Sequence, residues 1–114
     1  NIRMANTASD KRTSLNAIHA SYQMVAPNEF ARAHRHTVNA GRFILESERA
    51  FSTLDGKKVY MEPNDILLTP NWVWHGLGND SKDVPAFWID FLDDPLVSHL
   101  KAIFSKCATK TTKI

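Results

Sequence analysis

The sequence predicts an all-β barrel or sandwich followed by a single C-terminal helix. Short segments rich in β-branched and aromatic residues recur along the chain. Turn signals separate them at intervals of roughly eight to twelve residues, as in sandwiches and barrels. The pattern changes at Asp94, where apolar residues fall at helical spacing.

The elements follow in order. Residues 1–14 (NIRMANTASDKRTS) lack periodicity and are expected to form a flexible arm. Residues 15–26 alternate well enough for a first strand, and Pro27-Asn28 turns the chain. Residues 31–36 form a second strand. Segments 41–47 and 49–54 are β-rich, and Asp55-Gly56 is a hairpin signal leading into 57–61. Glu62-Pro63-Asn64-Asp65 turns into a short strand over 66–69, and Pro70-Asn71 turns into 72–76. Residues 79–85 are a polar loop, and 86–92 form the last strand. The barrel thus spans 15–93. Asp94 is the expected cap of a helix over 94–106 with Pro95 as its first residue. Leu96, Leu100, Ile103 and Phe104 share one face of that helix. The tail, 107–114, is expected to fray.

Composition narrows the function classes. A chain of 114 residues is long enough for one domain with one core. The formal charge of +2 gives no electrostatic case for nucleic acid, and no basic run alternates with aromatics. No apolar run approaches the roughly 20 residues of a membrane span, so no membrane partner is expected. Residues 1–14 lack the apolar core of a signal peptide. Cys107 is the one cysteine and cannot form an internal disulfide. This fits a reducing compartment, and the expected location is cytoplasmic.

Chemistry concentrates in the histidines. Side chains two apart on a strand share a face. His34-Arg35-His36 therefore aims two imidazoles into one cavity. His75, in Pro70-Asn71-Trp72-Val73-Trp74-His75, supplies a third from another strand. Three imidazoles suit a divalent transition metal: iron, zinc, nickel or copper. The alternative is a metal-free pocket lined by polar histidines. Arg42 has the same strand parity as His36 and can grip a carboxylate with its fork, or be buried against Asp90 or Glu46. Gln23 and His19 share a face of the first strand. Asp90 is expected to orient a ligand histidine or Arg42, or to form a structural ion pair. Trp72, Trp74 and Trp88 are read as core or pocket wall.

The run Asp65 to Asn79 resembles the second motif of cupins, roughly Gly-x5-Pro-x-Gly-x2-His-x3-Asn. Pro70, His75 and Asn79 keep its spacing. Asn64 and Asn71 stand where glycine is usual, and Asn tolerates positive φ better than most residues. The first cupin motif follows His-x-His with a Glu about four residues on, where this chain has Ala40 or Gly41. That departure narrows the resemblance. Ala33 to Glu46, Met61 to Pro70 and Trp88-Ile89-Asp90 look like the N-terminal cupin of gentisate 1,2-dioxygenases and of the related salicylate and hydroxynaphthoate ring-cleaving enzymes. The resemblance covers about residues 15–98.

The resemblance implies a cupin barrel (a double-stranded β-helix, or jelly roll) with a three-His Fe(II) site that opens an aromatic ring with O₂. It implies His34, His36 and His75 as ligands, with Zn, Ni or Mn as other possible metals. It implies Arg42, Gln23 and Asp90 as catalytic positions and His19, Trp74 and Leu77 as pocket wall. Leu77 stands where the family commonly has a histidine used in acid–base steps. The substrate is expected to be a small hydroxylated aromatic carboxylate. The alternatives are a non-catalytic metal- or small-molecule-binding cupin, and a fragment of a two-cupin dioxygenase. The protein is expected to be a homodimer or higher homo-oligomer.

Overall fold

A computed structural model describes residues 1–5, 7–8 and 13–109. Ten strands and one short helix follow in order: β1 (Ile2–Met4), β2 (His19–Val25), β3 (Phe30–His36), β4 (Ala40–Glu46), β5 (Ala50–Leu54), β6 (Lys57–Tyr60), β7 (Ile66–Thr69), β8 (His75–Asn79), β9 (Ala86–Leu92), α1 (Asp94–His99) and β10 (Ser105–Cys107). Two antiparallel five-stranded sheets face each other, ordered β1-β2-β9-β4-β7 and β10-β3-β8-β5-β6. Six of the eight neighbouring pairs in these orders are non-consecutive strands, which is the crossing pattern of a jelly roll.

Alternation builds the core. Along β9, Ala86, Trp88 and Asp90 are buried while Phe87 and Ile89 are only half-buried and Phe91 is exposed. Along β4, Ala40, Arg42 and Ile44 are the buried set. Val25, Ile44, Ala50, Met61, Ala86 and Trp88 form the apolar cluster at one end of the barrel. The polar inward residues of the same strands occupy the other end. One sheet interior is thus divided into a packed half and a chemical half.

The turns follow the residues. Asp55 (φ 45°) and Gly56 (φ 81°) both take positive φ, which is what a two-residue hairpin with the right strand twist requires. Asn64 also sits at positive φ, 71°. At the next turn the positive φ falls on Trp72 (61°) and not on Asn71. A Trp in that conformation is unusual. Its N–H donates to the His36 carbonyl at 2.7 Å, and the Arg35 guanidinium lies 4.4 Å from its ring centroid.

The two ends of the chain depart from the sequence expectation. Part of the expected arm is a strand: β1 pairs antiparallel with β2, Arg3 opposite Ser21. Residues 6 and 9–12 of that arm lie outside the described residues, as do 110–114 of the expected tail. The helix is six residues long and stops at His99; Lys101 takes φ 55°, which breaks the helical path. Ile103 and Phe104 therefore do not extend the face of Leu96 and Leu100, and all four are exposed. Asp93, not Asp94, is the N-cap, and it makes no capping bond. Its carboxylate instead accepts from the Asn39 backbone and side-chain N–H groups, each at 2.7 Å. Residues 105–107, read as the end of the helix and the start of the tail, form β10 along the free edge of β3, Ser105 opposite His36 and Cys107 opposite His34.

Ile44 is fully buried in the apolar half. Ile44→Ala is expected to cost about 2–5 kcal/mol, as for other large-to-small core changes. A lowered urea midpoint with an unchanged m-value checks this.

Candidate metal centre

Register brings the three histidines together. His34 on β3 lies directly opposite His75 on β8, just past a bulge between Ala31 and His34. His36 follows on the same face as His34. Their ring centroids are 4.4 Å (His34–His75), 4.7 Å (His36–His75) and 5.3 Å (His34–His36) apart. One ligand atom from each lies within 4.8 Å of the others.

The second nitrogen of each ring fixes which atom is free. Nδ1 of His34 lies 3.2 Å from the Arg32 carbonyl, Nδ1 of His36 lies 2.8 Å from that of Val38, and Nδ1 of His75 lies 2.9 Å from that of Val73. A carbonyl only accepts, so each Nδ1 carries the proton and donates. Each Nε2 keeps its lone pair. His75 Nε2 is buried and has no hydrogen-bond partner among the described residues. A buried acceptor without a partner is costly, and a metal ion satisfies it. Backbone carbonyls that hold the outer nitrogens are the usual support of metal-binding imidazoles. The donor set fits a divalent metal ion.

Burial sets the charge state. His75 is pushed down to about 4 by burial, against the pull of its bond to the Val73 carbonyl, with further repulsion from His34, His36 and Arg42. His36 is lowered by burial too, against its bond to Val38. Both rings are neutral near pH 7, the form a metal needs.

Behind the histidines lies a buried polar network on the other sheet. Arg42 on β4 pairs in register with Asp90 on β9. Arg42 Nε and Asp90 Oδ1 are 3.1 Å apart. The two groups form a buried ion pair. Arg42 Nη1 donates to Thr69 Oγ1 at 3.2 Å, and Trp88 Nε1 donates to Asp90 Oδ1 at 3.0 Å. Burial lowers the Arg42 guanidinium and raises the Asp90 carboxyl, and each partner's charge opposes the shift. On β2, His19 Nδ1 lies 3.2 Å from Asp94 Oδ1 and 3.3 Å from Oδ2.

One cavity of about 540 Å³ gathers His34, His36, His75, Arg42, Asp90 and His19. Its size falls in the range of small-molecule sites. Leu77 is also on its wall. Two expected site residues are not brought there. Gln23 stands farther along β2, accepting from Asn1 Nδ2 at 2.9 Å and donating to the Met24 carbonyl at 3.0 Å. Trp74 lines a separate recess with Ala33, Thr53 and Gly56, and the Arg35 guanidinium stacks 4.8 Å from its ring centroid. Conversely, Arg3 and Asp94 line the cavity. Sequence reasoning missed both as site residues. Arg3 lies in a segment without periodicity, and Asp94 carried only a helix-capping signal.

Comparison with known proteins fits this geometry. The Cupin domain family (Cupin_2) matches residues 21–92. A gentisate 1,2-dioxygenase from a Ralstonia species is 42% identical over 95 residues, 83% of this chain and 26% of that protein. A 1-hydroxy-2-naphthoate 1,2-dioxygenase from Nocardioides sp. (strain KP7) is 41% identical over 88 residues, 76% of this chain and 22% of that protein. The crystal structure of a salicylate 1,2-dioxygenase from Pseudaminobacter salicylatoxidans superposes with a TM-score of 0.91 at 32% identity, covering 99% of this chain and 32% of that one. The chain therefore spans about a quarter of the length of these curated relatives and about a third of that solved structure. With the three-His cluster on one wall of the barrel and the family match running from β2 through β9, the chain belongs to the cupin domain family.

Proposed function

We propose that this cupin is the metal-binding domain of a ring-cleaving dioxygenase that acts on a hydroxylated aromatic carboxylate. The single observation that carries the reading is the set of three imidazoles, each Nδ1 tied to a backbone carbonyl, facing a cavity of small-molecule size. The relatives are named as gentisate, 5-aminosalicylate and 1-hydroxy-2-naphthoate dioxygenases, and a related salicylate dioxygenase was crystallised with gentisate.

His34, His36 and His75 hold the metal through Nε2, with Fe(II) the proposed ion. Such an ion supplies a shared site for substrate and O₂ and a path for electrons between them. The protein residues supply the rest. Three imidazoles add no negative charge, so an anionic substrate is favoured at that wall. Arg42 has its Nε and one Nη engaged, and the remaining N–H groups of its fork are donors for a carboxylate. Arg3 lines the same cavity as a second cation. Asp90 and Thr69 fix the plane of Arg42, and Leu77 gives the ring an apolar contact. We place the protein in the cytoplasm, where a single unpaired cysteine is ordinary.

A second reading is a binding cupin without turnover by itself. It is favoured by the apolar Leu77 on the cavity wall.

Anaerobic loading with Fe(II), then O₂ uptake and ultraviolet spectra with gentisate, salicylate and 1-hydroxy-2-naphthoate, tests the first reading. It is expected to give O₂ consumption with a ring-opened chromophore for at least one of the three. Metal at one per chain with no turnover on any of them moves the assignment to the second. His36→Ala is expected to weaken metal binding by more than about a hundredfold, beyond the loss seen when only an outer partner of a ligand is removed. Competition with a chelating dye measures it.

The metal-free chain is expected to be acid-sensitive. His75 titrates at about 4 in the fold and near 6.5 when unfolded, so between those values the unfolded state binds more protons. Its contribution to stability is full above pH 6.5 and is lost as pH falls towards 4, on the order of 3 kcal/mol. Urea midpoints measured across that window check the direction, and His75→Gln flattens the profile.

A further inference from the structure

Outside the metal set, one imidazole on the cavity wall has no assigned work. His19 is buried, 6% exposed, at the start of β2. Its Nδ1 faces both oxygens of the Asp94 carboxylate, at 3.2 and 3.3 Å. That contact places the proton on Nδ1 and leaves the Nε2 lone pair free. Nε2 is buried and has no partner among the described residues. The ring lines the same cavity as the three ligand histidines but lies outside their cluster.

We propose that His19, positioned by Asp94, is the proton acceptor for the substrate's ring hydroxyl. This rests on the proposed substrate class. When the hydroxyl loses its proton, the O–H bond breaks and an N–H bond forms at His19 Nε2. The electron pair stays on the phenolate oxygen, and the new imidazolium charge is offset by Asp94. Other bases on the wall are engaged. Asp90 holds Arg42 and accepts from Trp88, and the three ligand rings commit their Nε2 atoms to the metal. A buried His held by a carboxylate is the arrangement that makes an imidazole an effective base.

The charged groups around His19 are known. Asp94 faces it from α1 and Asp90 from β9; Arg3 and Arg42 line the cavity from β1 and β4; His34, His36 and His75 stand across from it on β3 and β8.

The test counts protons and needs no turnover. Salicylate is titrated into the Zn(II)-loaded chain by calorimetry in buffers of different ionisation heat, over a range of pH. The wild type is expected to release close to no proton near neutral pH, because His19 keeps the one that the hydroxyl gives up. His19→Gln is expected to release about one more proton per salicylate bound at the same pH. Asp94→Asn keeps the ring but loses its support, so release is expected to begin at a lower pH than in the wild type. Equal proton counts in the wild type and both variants overturn the assignment of His19 while leaving the substrate reading intact. No salicylate binding by the zinc-loaded wild type overturns the substrate reading and the His19 assignment together.

Discussion

The site depends on the register of β3 against β8. Side chains on a strand alternate with period two, so a one-residue slip would turn His34 and His36 outward together. His34 opposite His75 is the pair that sets this register, and it sits just beyond a bulge, where slippage would otherwise be easy. Three features pin it. The Nδ1–carbonyl bonds of all three rings lock side chains to local backbone. Trp72 donates to the His36 carbonyl from a positive-φ conformation. On the far edge, β10 pairs along His34 and His36, and Thr37 is tied to Ala102 and Phe104. The strand that carries His34 and His36 is thus held from both sides.

A second constraint is charge. The cavity wall brings together two arginines, two carboxylates and four histidines, all of which would be costly in an apolar core. Arg42 and Asp90 neutralise each other in register across β4 and β9. Removing one partner would leave a buried charge alone, which is more damaging than replacing both. The neutral pair therefore forms a rigid polar floor and leaves the metal wall as the place where net charge changes. That division agrees with a site built to receive an anion.

Much of this was legible in the chain. The parity of His34-Arg35-His36 put two imidazoles on one face, and the spacing of Pro70, His75 and Asn79 pointed to the third. Arg42 at the same parity reached the same cavity. What the sequence did not carry was tertiary. Trp74 alternates with Trp72 in the loop before β8, but Arg35 draws both rings to the outer side of β3. Gln23 keeps the parity of His19, yet β2 runs away from the metal wall towards the apolar end, and Asn1 takes up its amide. Asp94 read as a cap because a Pro follows it. Asp93 took the N-cap position instead and bonded to Asn39, which left Asp94 free to face His19.

That exchange between neighbouring aspartates has a consequence for how the barrel end works. Asp93 ties α1 to the turn after β3, next to the metal ligands, through Asn39. Asp94 ties the same helix to β2 through His19. Asn39 also accepts from the Asn71 backbone N–H, in the turn that precedes His75. A single short helix start therefore connects the segments that follow His36 and precede His75 with the strand that carries His19. No residue of that helix is buried, so packing contributes little to holding it. Its position rests on these polar contacts. These rim contacts between the histidine wall and His19 are polar, and they add to the strand register that places His19 opposite Leu92, while the apolar core lies at the opposite end of the barrel.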